Sequence, residues 1–265
     1  MPAHPPRHFL LNRLDDIGRA LERTGHALAL IGLGSVGRET DRLDDFSDLD
    51  FFVIVEPGHK ARYLHNLDWL RAAGPLAYSF QNTPDGYKAL FTDDVFCEFA
   101  VFEEPELRQI PYAPGRIVWK RAGIDEALAS PAEPPAPPAE RSVEWLLGEA
   151  LTNLYVGLGR HRRGEKLSAA RFIQGYAVDR VVELAHWVER AGPAHVDPFV
   201  SERRFERRFP TVAHELPYFM PGYEHNVAAA RAILAFLARH FDINAELKQA
   251  ILAQCAEADA AAEPG

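Results

Sequence analysis

Residues 130–141 read SPAEPPAPPAER, with five prolines in twelve residues. Each proline removes a backbone donor and fixes φ, so neither a helix interior nor a central strand can run through this stretch. A semi-rigid, extended spacer is the form left to it. The chain is therefore expected to fold as two bodies: residues 1–129, a linker over 130–142, and residues 143–265. A length of 265 residues suits one large domain or two modest ones.

The two sides of the spacer have different periodicities. Before it, helix-like and strand-like segments alternate. Phe9, Leu10, Leu14, Ile17 and Leu21 recur at helical spacing, and Gly25 closes the run. Ala27–Leu33 and Phe51–Val55 are short apolar runs that read as buried strands, the second stopped by Pro57-Gly58. Residues 60–73 read as one helix. Tyr87–Phe91 and Val95–Phe102 flank Thr92-Asp93-Asp94 and predict a β-hairpin, in which Glu98 is the single charge of the second arm. After the spacer, residues 143–160, 167–191, 224–241 and 243–257 show helical periodicity, and no segment reads as a strand. The expected class is α+β: a mixed β-sheet flanked by helices, followed by an all-α helical bundle. The last ten residues, AEADAAAEPG, are expected to fray.

Composition narrows the function classes. A formal net charge of −9 argues against a nucleic-acid partner. Arg203, Arg204, Arg207 and Arg208 surround Phe205 and Phe209, which reads as a solvated basic face over two core anchors. No apolar run is long enough to span a membrane, and the opening MPAHPPRHFLLNRLDD lacks the apolar core of a signal peptide. The two cysteines, Cys97 and Cys255, lie far apart, forming neither a disulfide framework nor a zinc motif. They are expected to be buried, and a reducing cytoplasm is the expected location.

Two signatures overlap in LALIGLGSVGRETDRLDDFSDLDFFVIV, residues 28–55. Gly32-Leu33-Gly34-Ser35-Val36-Gly37 is a literal G-x-G-x-x-G. A dinucleotide site would need those glycines to open a helix with an apolar face, and an acid ending the next strand. RETDRLDDFSD supplies only Leu43 and Phe46 as apolar residues, and Asp48 and Asp50 begin the next strand instead. Both requirements fail. The alternative is a phosphate-side turn at Gly34-Ser35, where small residues let a phosphate approach the backbone. After a loop of twelve residues, 36–47, comes Asp48-Leu49-Asp50-Phe51. Side chains alternate along a strand, so Asp48 and Asp50 share one face, about 6.5–7 Å apart, while Leu49 and Phe51 face the core. Two such carboxylates can share one or two hard cations, and Mg2+ favours one or two carboxylates plus phosphate oxygens.

Gly34-Ser35 followed by Ser47-Asp48-Leu49-Asp50-Phe51 resembles the nucleotidyltransferase superfamily. That pattern also asks for a third acid on a later strand, which Glu98 answers. Within the superfamily the chain resembles the antibiotic-modifying branch, and the lincosamide nucleotidyltransferases in particular. Asp85-Gly86-Tyr87 leading to Glu98-Phe99 carries that likeness, as do Asn153-Leu154-Tyr155-Val156-Gly157 and Arg163-Gly164-Glu165 in the helical part. The spacer and much of residues 193–222 depart from the pattern, which bears on the acceptor rather than on the chemistry.

The resemblance implies a cytoplasmic, Mg2+-dependent enzyme with a nucleotidyltransferase fold over 1–129. It would transfer a nucleoside monophosphate, AMP from ATP or the equivalent from another NTP, to a hydroxyl of a small molecule such as a lincosamide or an aminoglycoside. Asp48 and Asp50 would hold one or two Mg2+ ions. Gly34, Ser35, Arg38 and Ser47 would bind the nucleotide. Glu98 would serve as base, metal ligand or both. The helical domain would select the acceptor through Asn153, Tyr155, Arg163 and Glu165, and a homodimer is compatible with the branch. Two other readings stay open at this point: transfer to a protein or RNA, and a nucleotide-binding module without catalysis.

Overall fold

The computed structural model describes residues 7–132, 141–194, 196–197 and 200–262. Most of the proline-rich stretch (133–140) and the end of the tail (263–265) lie outside the described residues. The chain divides into two compact units, Met1–Ala136 and Pro137–Gly265.

The first unit is built on a six-stranded sheet: β1 Ala27–Gly32, β2 Leu49–Val55, β3 Leu76–Thr83, β4 Gly86–Phe91, β5 Phe96–Glu103 and β6 Arg116–Lys120, in the order β3-β4-β5-β2-β1-β6. Only β2 and β5 pair in parallel; the other neighbours are antiparallel. The antiparallel β1–β2 pair removes the dinucleotide reading in topological terms, because that fold needs a parallel β-α-β unit here. The hairpin expected around Thr92-Asp93-Asp94 is present as β4–β5, with Asp94 at φ 64° in the turn.

One face of the sheet is covered by α1 Arg7–Glu22, α2 Lys60–His65 and α3 Asp68–Arg71, which bury Leu10, Leu14, Ile17, Tyr63, Trp69 and Leu70 against Phe51, Val53, Phe99 and Val101. Phe99 sits among the rings of Phe51, Tyr87 and Trp69, with centroids 5.3–5.8 Å away. The single helix expected over 60–73 is broken at Asn66-Leu67. Asn66 is extended, and its side-chain oxygen accepts from the Asp68 amide at 2.8 Å, which starts a new helix there.

The other face is covered only in part. Ile31, Ile54 and Phe102 pack against Leu107, Tyr112 and Ala129, and Phe52 meets the rings of Phe102 and Tyr112 edge-on. Leu107 belongs to α4, Glu104–Leu107. Alternation places Asp50, Phe52 and Ile54 on this face of β2, and Glu98, Ala100 and Phe102 on this face of β5. The apolar ends of both rows are covered, while the acids at the other end stay half-exposed.

The second unit contains helices and no strand among its described residues. Its central helix α5, Val143–Arg162, starts at Ser142, whose hydroxyl accepts from the Trp145 amide. It packs against α6 Lys166–Ala170, a π-helical turn over Arg171–Ala177, α7 Val178–Val188, α11 Asn226–His240 and α12 Ala245–Ala262. Gly157 is a contact glycine: a Cβ there would lie 2.5 Å from Ile173 Cγ1. Inside the unit Gln174 donates to Asn226 Oδ1 (2.8 Å) and Gly222 O (2.8 Å) and accepts from the Gly222 amide (3.0 Å). Three short helices, α8 Phe205–Arg208, α9 Pro210–Ala213 and α10 Leu216–Phe219, lie between α7 and α11.

Two expectations need correcting in this unit. Phe205 and Phe209 are buried anchors, but Arg208 is buried as well and donates to Ser201 O. The tail does not fray over 256–262, which α12 includes. Its alanines favour helix, and Arg231 pairs with Asp259. Cys97 and Cys255 are both buried free thiols, and burial pushes the Cys97 thiol up to about 12.

Candidate active site

The turn after β1 closes on itself through its glycines. A Cβ on Gly32 would lie 2.6 Å from Val36 O, and one on Gly37 would lie 2.6 Å from Gly32 O and 2.8 Å from Leu33 C. Gly34 takes a left-handed φ of 51° and opens a short 3₁₀ turn over Gly34–Val36, in which Ser35 is buried. The spacing that resembles a dinucleotide fingerprint thus serves the closure of one compact turn. Gly34 O accepts from the amides of Gly37 and Glu39, both at 3.1 Å, and the Leu33 amide donates to Asp50 O at 2.8 Å. The last of these ties the turn directly to β2.

A Cβ built on Gly34 would come within 3.7 Å of Asp50 Oδ2 and 3.5 Å of Arg42 Nη2. The turn, one carboxylate and one guanidinium therefore meet at this point. Across the parallel ladder, Asp50 stands opposite Glu98, and Glu98 stands opposite Lys88 on β4. Glu98 Oε2 pairs with Lys88 Nζ at 3.1 Å, and Glu98 Oε1 accepts from Asn82 Nδ2 at 3.2 Å. Asp48 lies one residue before β2, half-buried, and its carboxylate has no hydrogen-bond or ion-pair partner among the described residues. Leu33, Asp50, Phe52, Asn82, Thr83, Gly86, Glu98 and Ala100 line an open cavity of about 300 Å3. Gly86 lets β4 approach β5 closely at the cavity wall, since a Cβ there would lie 2.6 Å from Phe99 O.

Gly34, Asp50 and Glu98 are thus brought together, with Ser35 in the turn beside them and Asp48 next in chain to β2. Arg38 is turned to other partners: its Nε donates to Gly115 O at 2.9 Å, and its Nη2 donates to Ser130 Oγ at 3.1 Å. Ser47 holds its own loop, exchanging hydrogen bonds of 3.0 Å with Asp44. Asn153, Tyr155, Arg163 and Glu165 belong to the second unit. Asn153 is half-buried on α5; Arg163 pairs with Glu165 at 3.1 Å. Tyr155 and Arg163 line an open depression with Arg162, Gln254 and Glu257.

Arg42, Lys88 and Asn82 are site residues that the sequence reading passes over. Arg42 sits in a polar loop that gives no periodic signal. Lys88 and Asn82 become relevant only through the pairing register of β4 and β5 and the fold of the β3–β4 turn. As a set, Asp48, Asp50 and Glu98 are not drawn within 4.8 Å of one another. Among the described residues the side chains that meet that criterion are His26, Glu56 and His59.

Family models and curated proteins give no match to the chain. Solved structures do. An aminoglycoside 6-adenyltransferase from Bacillus subtilis matches 95% of this chain and 95% of its own, at 12% identity and a TM-score of 0.30. The STING-associated CdnE c-di-GMP synthase from Capnocytophaga granulosa matches 96% of this chain and 80% of its own, at 12% identity and a TM-score of 0.29. The Bradyrhizobium diazoefficiens CD-NTase CdnG, solved with GTP, matches 96% and 99%, at 15% identity and a TM-score of 0.21. TM-scores this low place no weight on what those three proteins bind or make.

Proposed function

We propose that the chain is a nucleotidyltransferase that moves a nucleoside monophosphate, AMP from ATP, onto a hydroxyl of a small molecule. The observation that carries this reading is the row Gly34–Asp50–Glu98: a small-residue turn against one carboxylate, with a second carboxylate fixed opposite it by strand register.

In this reading the Gly34-Ser35 turn and Arg42, which here pairs with Glu39, receive the triphosphate, since small residues let a phosphate approach the backbone and a guanidinium favours phosphate oxygens. Asp48, unpartnered, and Asp50, facing the same cavity as Glu98, fit a hard divalent cation that also has phosphate oxygens to bind. Such a Mg2+ ion supplies neutralisation of charge developing on the phosphates. Glu98 accepts the proton of the acceptor hydroxyl as its oxygen bonds to the α-phosphorus. The bond from that phosphorus to the bridging oxygen breaks, and pyrophosphate leaves with the electron pair. Lys88 and Asn82 hold the Glu98 carboxylate in place.

The test is incubation with α-labelled ATP, Mg2+ and a panel of lincosamides and aminoglycosides. Label should appear on a small molecule, and Glu98→Gln should slow its appearance by roughly 10²–10⁴-fold. Label on a protein or RNA would move the acceptor to another class. Equal transfer by Glu98→Gln would remove the assigned base.

A further inference from the structure

We propose that His26, Glu56 and His59 form a binding site for one zinc-type divalent transition-metal ion, at the end of the β1–β2 ladder away from Asp50. This site is independent of the nucleotidyl-transfer reading.

The three side chains come from three segments, and each is half-buried. Their ligand atoms lie within 4.8 Å of one another. His26 precedes β1, Glu56 follows β2, and His59 caps α2. The backbone fixes their approach. The Glu56 amide donates to His26 O at 3.0 Å, and the His59 amide donates to Glu56 O at 3.1 Å. Between them Gly58 takes a φ of 83°, and its amide donates to Glu103 Oε1 at 2.7 Å. The turn that carries two of the three ligands is therefore pinned from both sides before any ion arrives.

His26 Nδ1 and Glu56 Oε2 lie 2.8 Å apart, the distance of a hydrogen bond in which the carboxylate oxygen accepts the ring's proton. A zinc ion can replace that proton. Metal–ligand bonds of about 2.0–2.2 Å at a tetrahedral angle separate the two atoms by about 3.3 Å, so the pair opens by only half an ångström or so. The other carboxylate oxygen, Oε1, pairs with Arg121 Nη2 at 2.7 Å, which orients the carboxylate and leaves Oε2 for the metal. The rings of His26 and His59 stack at 3.7 Å and 12°. Parallel rings cannot aim both lone pairs at one ion, so the His59 ring turns on binding. No hydrogen bond holds that ring among the described residues. Two imidazoles and one carboxylate favour zinc and its neighbours over Mg2+, and three protein ligands leave a fourth position for water. The occupied site would clip the start of β1 to the end of β2 and the start of α2.

The experiment is calorimetric titration of zinc sulfate into the full chain, stripped of metals, with the thermal midpoint followed in parallel. Binding of one equivalent is expected, with a rise in midpoint on the order of 5 °C at about 100-fold excess over Kd. His26→Gln and His59→Asn should each weaken binding by about tenfold or more. Excess Mg2+ should not compete, and Asp50→Asn should bind zinc like the parent. If His26→Gln does not fold, His59→Asn, in the turn before α2, decides. Zinc binding of unchanged affinity in the folded histidine variants, loss of binding in Asp50→Asn, or no uptake by the full chain would each overturn the proposal.

Discussion

At one end of the β1–β2 ladder, Gly32 pairs with Phe51, and the chain then turns through Gly34 beside Asp50. At the other end, Ala27 pairs with Val55, and the flanking residues are His26 and Glu56. The first end opens into a loop from Ser35 to Asp48 that is polar and largely irregular. The second closes through the short turn Pro57-Gly58 into α2. The chemistry follows the construction. At the loop end Asp48 has no partner among the described residues and a cavity lies beside Glu98, which suits the anionic substrate and hard cation proposed above. The tight end holds its polar atoms against one another, with His26, Arg121 and Glu56 already paired.

That contrast can be tested from the largest effect downward. Asp50→Asn should lower nucleotidyl transfer by roughly 10³-fold, the loss of several kcal/mol of charge stabilisation, while the folded chain keeps its circular dichroism. His26→Ala, at the far end, should leave transfer within about twofold; a matching loss there would mean that the two ends do not act separately. Next in size is Gly37→Ala. Its Cβ meets backbone atoms at 2.6, 2.8 and 2.9 Å that cannot swing away, so urea unfolding should show a loss of about 1–3 kcal/mol. Gly58→Ala, in the opposite turn, meets no atom within 4 Å and bears only the strain of its φ of 83°. A loss of about 1–2 kcal/mol is expected, at or below that of Gly37→Ala. A larger loss at Gly58 would reverse the ranking of the two turns.

The smallest effect is one of pH. Hydrogen bonds from His26 and then Arg121 hold the Glu56 carboxyl below its ordinary value of 4.5. A carboxyl with a depressed folded value stabilises the fold above its ordinary range, and that contribution is lost as pH falls through the folded value. Between pH 5 and pH 3 the urea midpoint of Glu56→Gln should therefore fall less steeply than that of the parent. Parallel slopes would show that Glu56 carries no linked proton.

Much of the sheet is legible in the sequence because its central strands are apolar runs. Ala27–Gly32 and Leu49–Val55 read as strands at once, and the arm bearing Glu98 reads through its alternation. The edge strands do not. β3, LAYSFQNT, is largely exposed, and β6, RIVWK, is half-exposed along its length, so neither has the apolar signal of a core strand. The acids of the candidate site are legible for a related reason: a charge within or beside a buried run stands out. Arg42, Lys88 and Asn82 do not stand out, because polar residues in loops and on half-exposed strand faces are the ordinary case. Their roles depend on which residue ends up opposite which, and that is a property of register. His26, Glu56 and His59 are hidden for the same reason, since no sequence spacing links the first to the other two.

Seven consecutive pairs, from Leu49↔Cys97 to Val55↔Glu103, hold β2 against β5. A slip of one residue would set Cys97 or Phe99 opposite Asp50, and would turn the whole apolar row of one strand to the wrong face. The spacing of the two acids is thus not free to drift by small steps. In the connecting chain through α2, α3, β3 and β4 the strands pair in register as well, but the turns are under no such restraint. Insertions and deletions in its turns can reshape the rim of the cavity while the acid pair stays fixed. Descendants of this chain can differ in what the cavity admits by changing loops alone, with the acid pair left as it is.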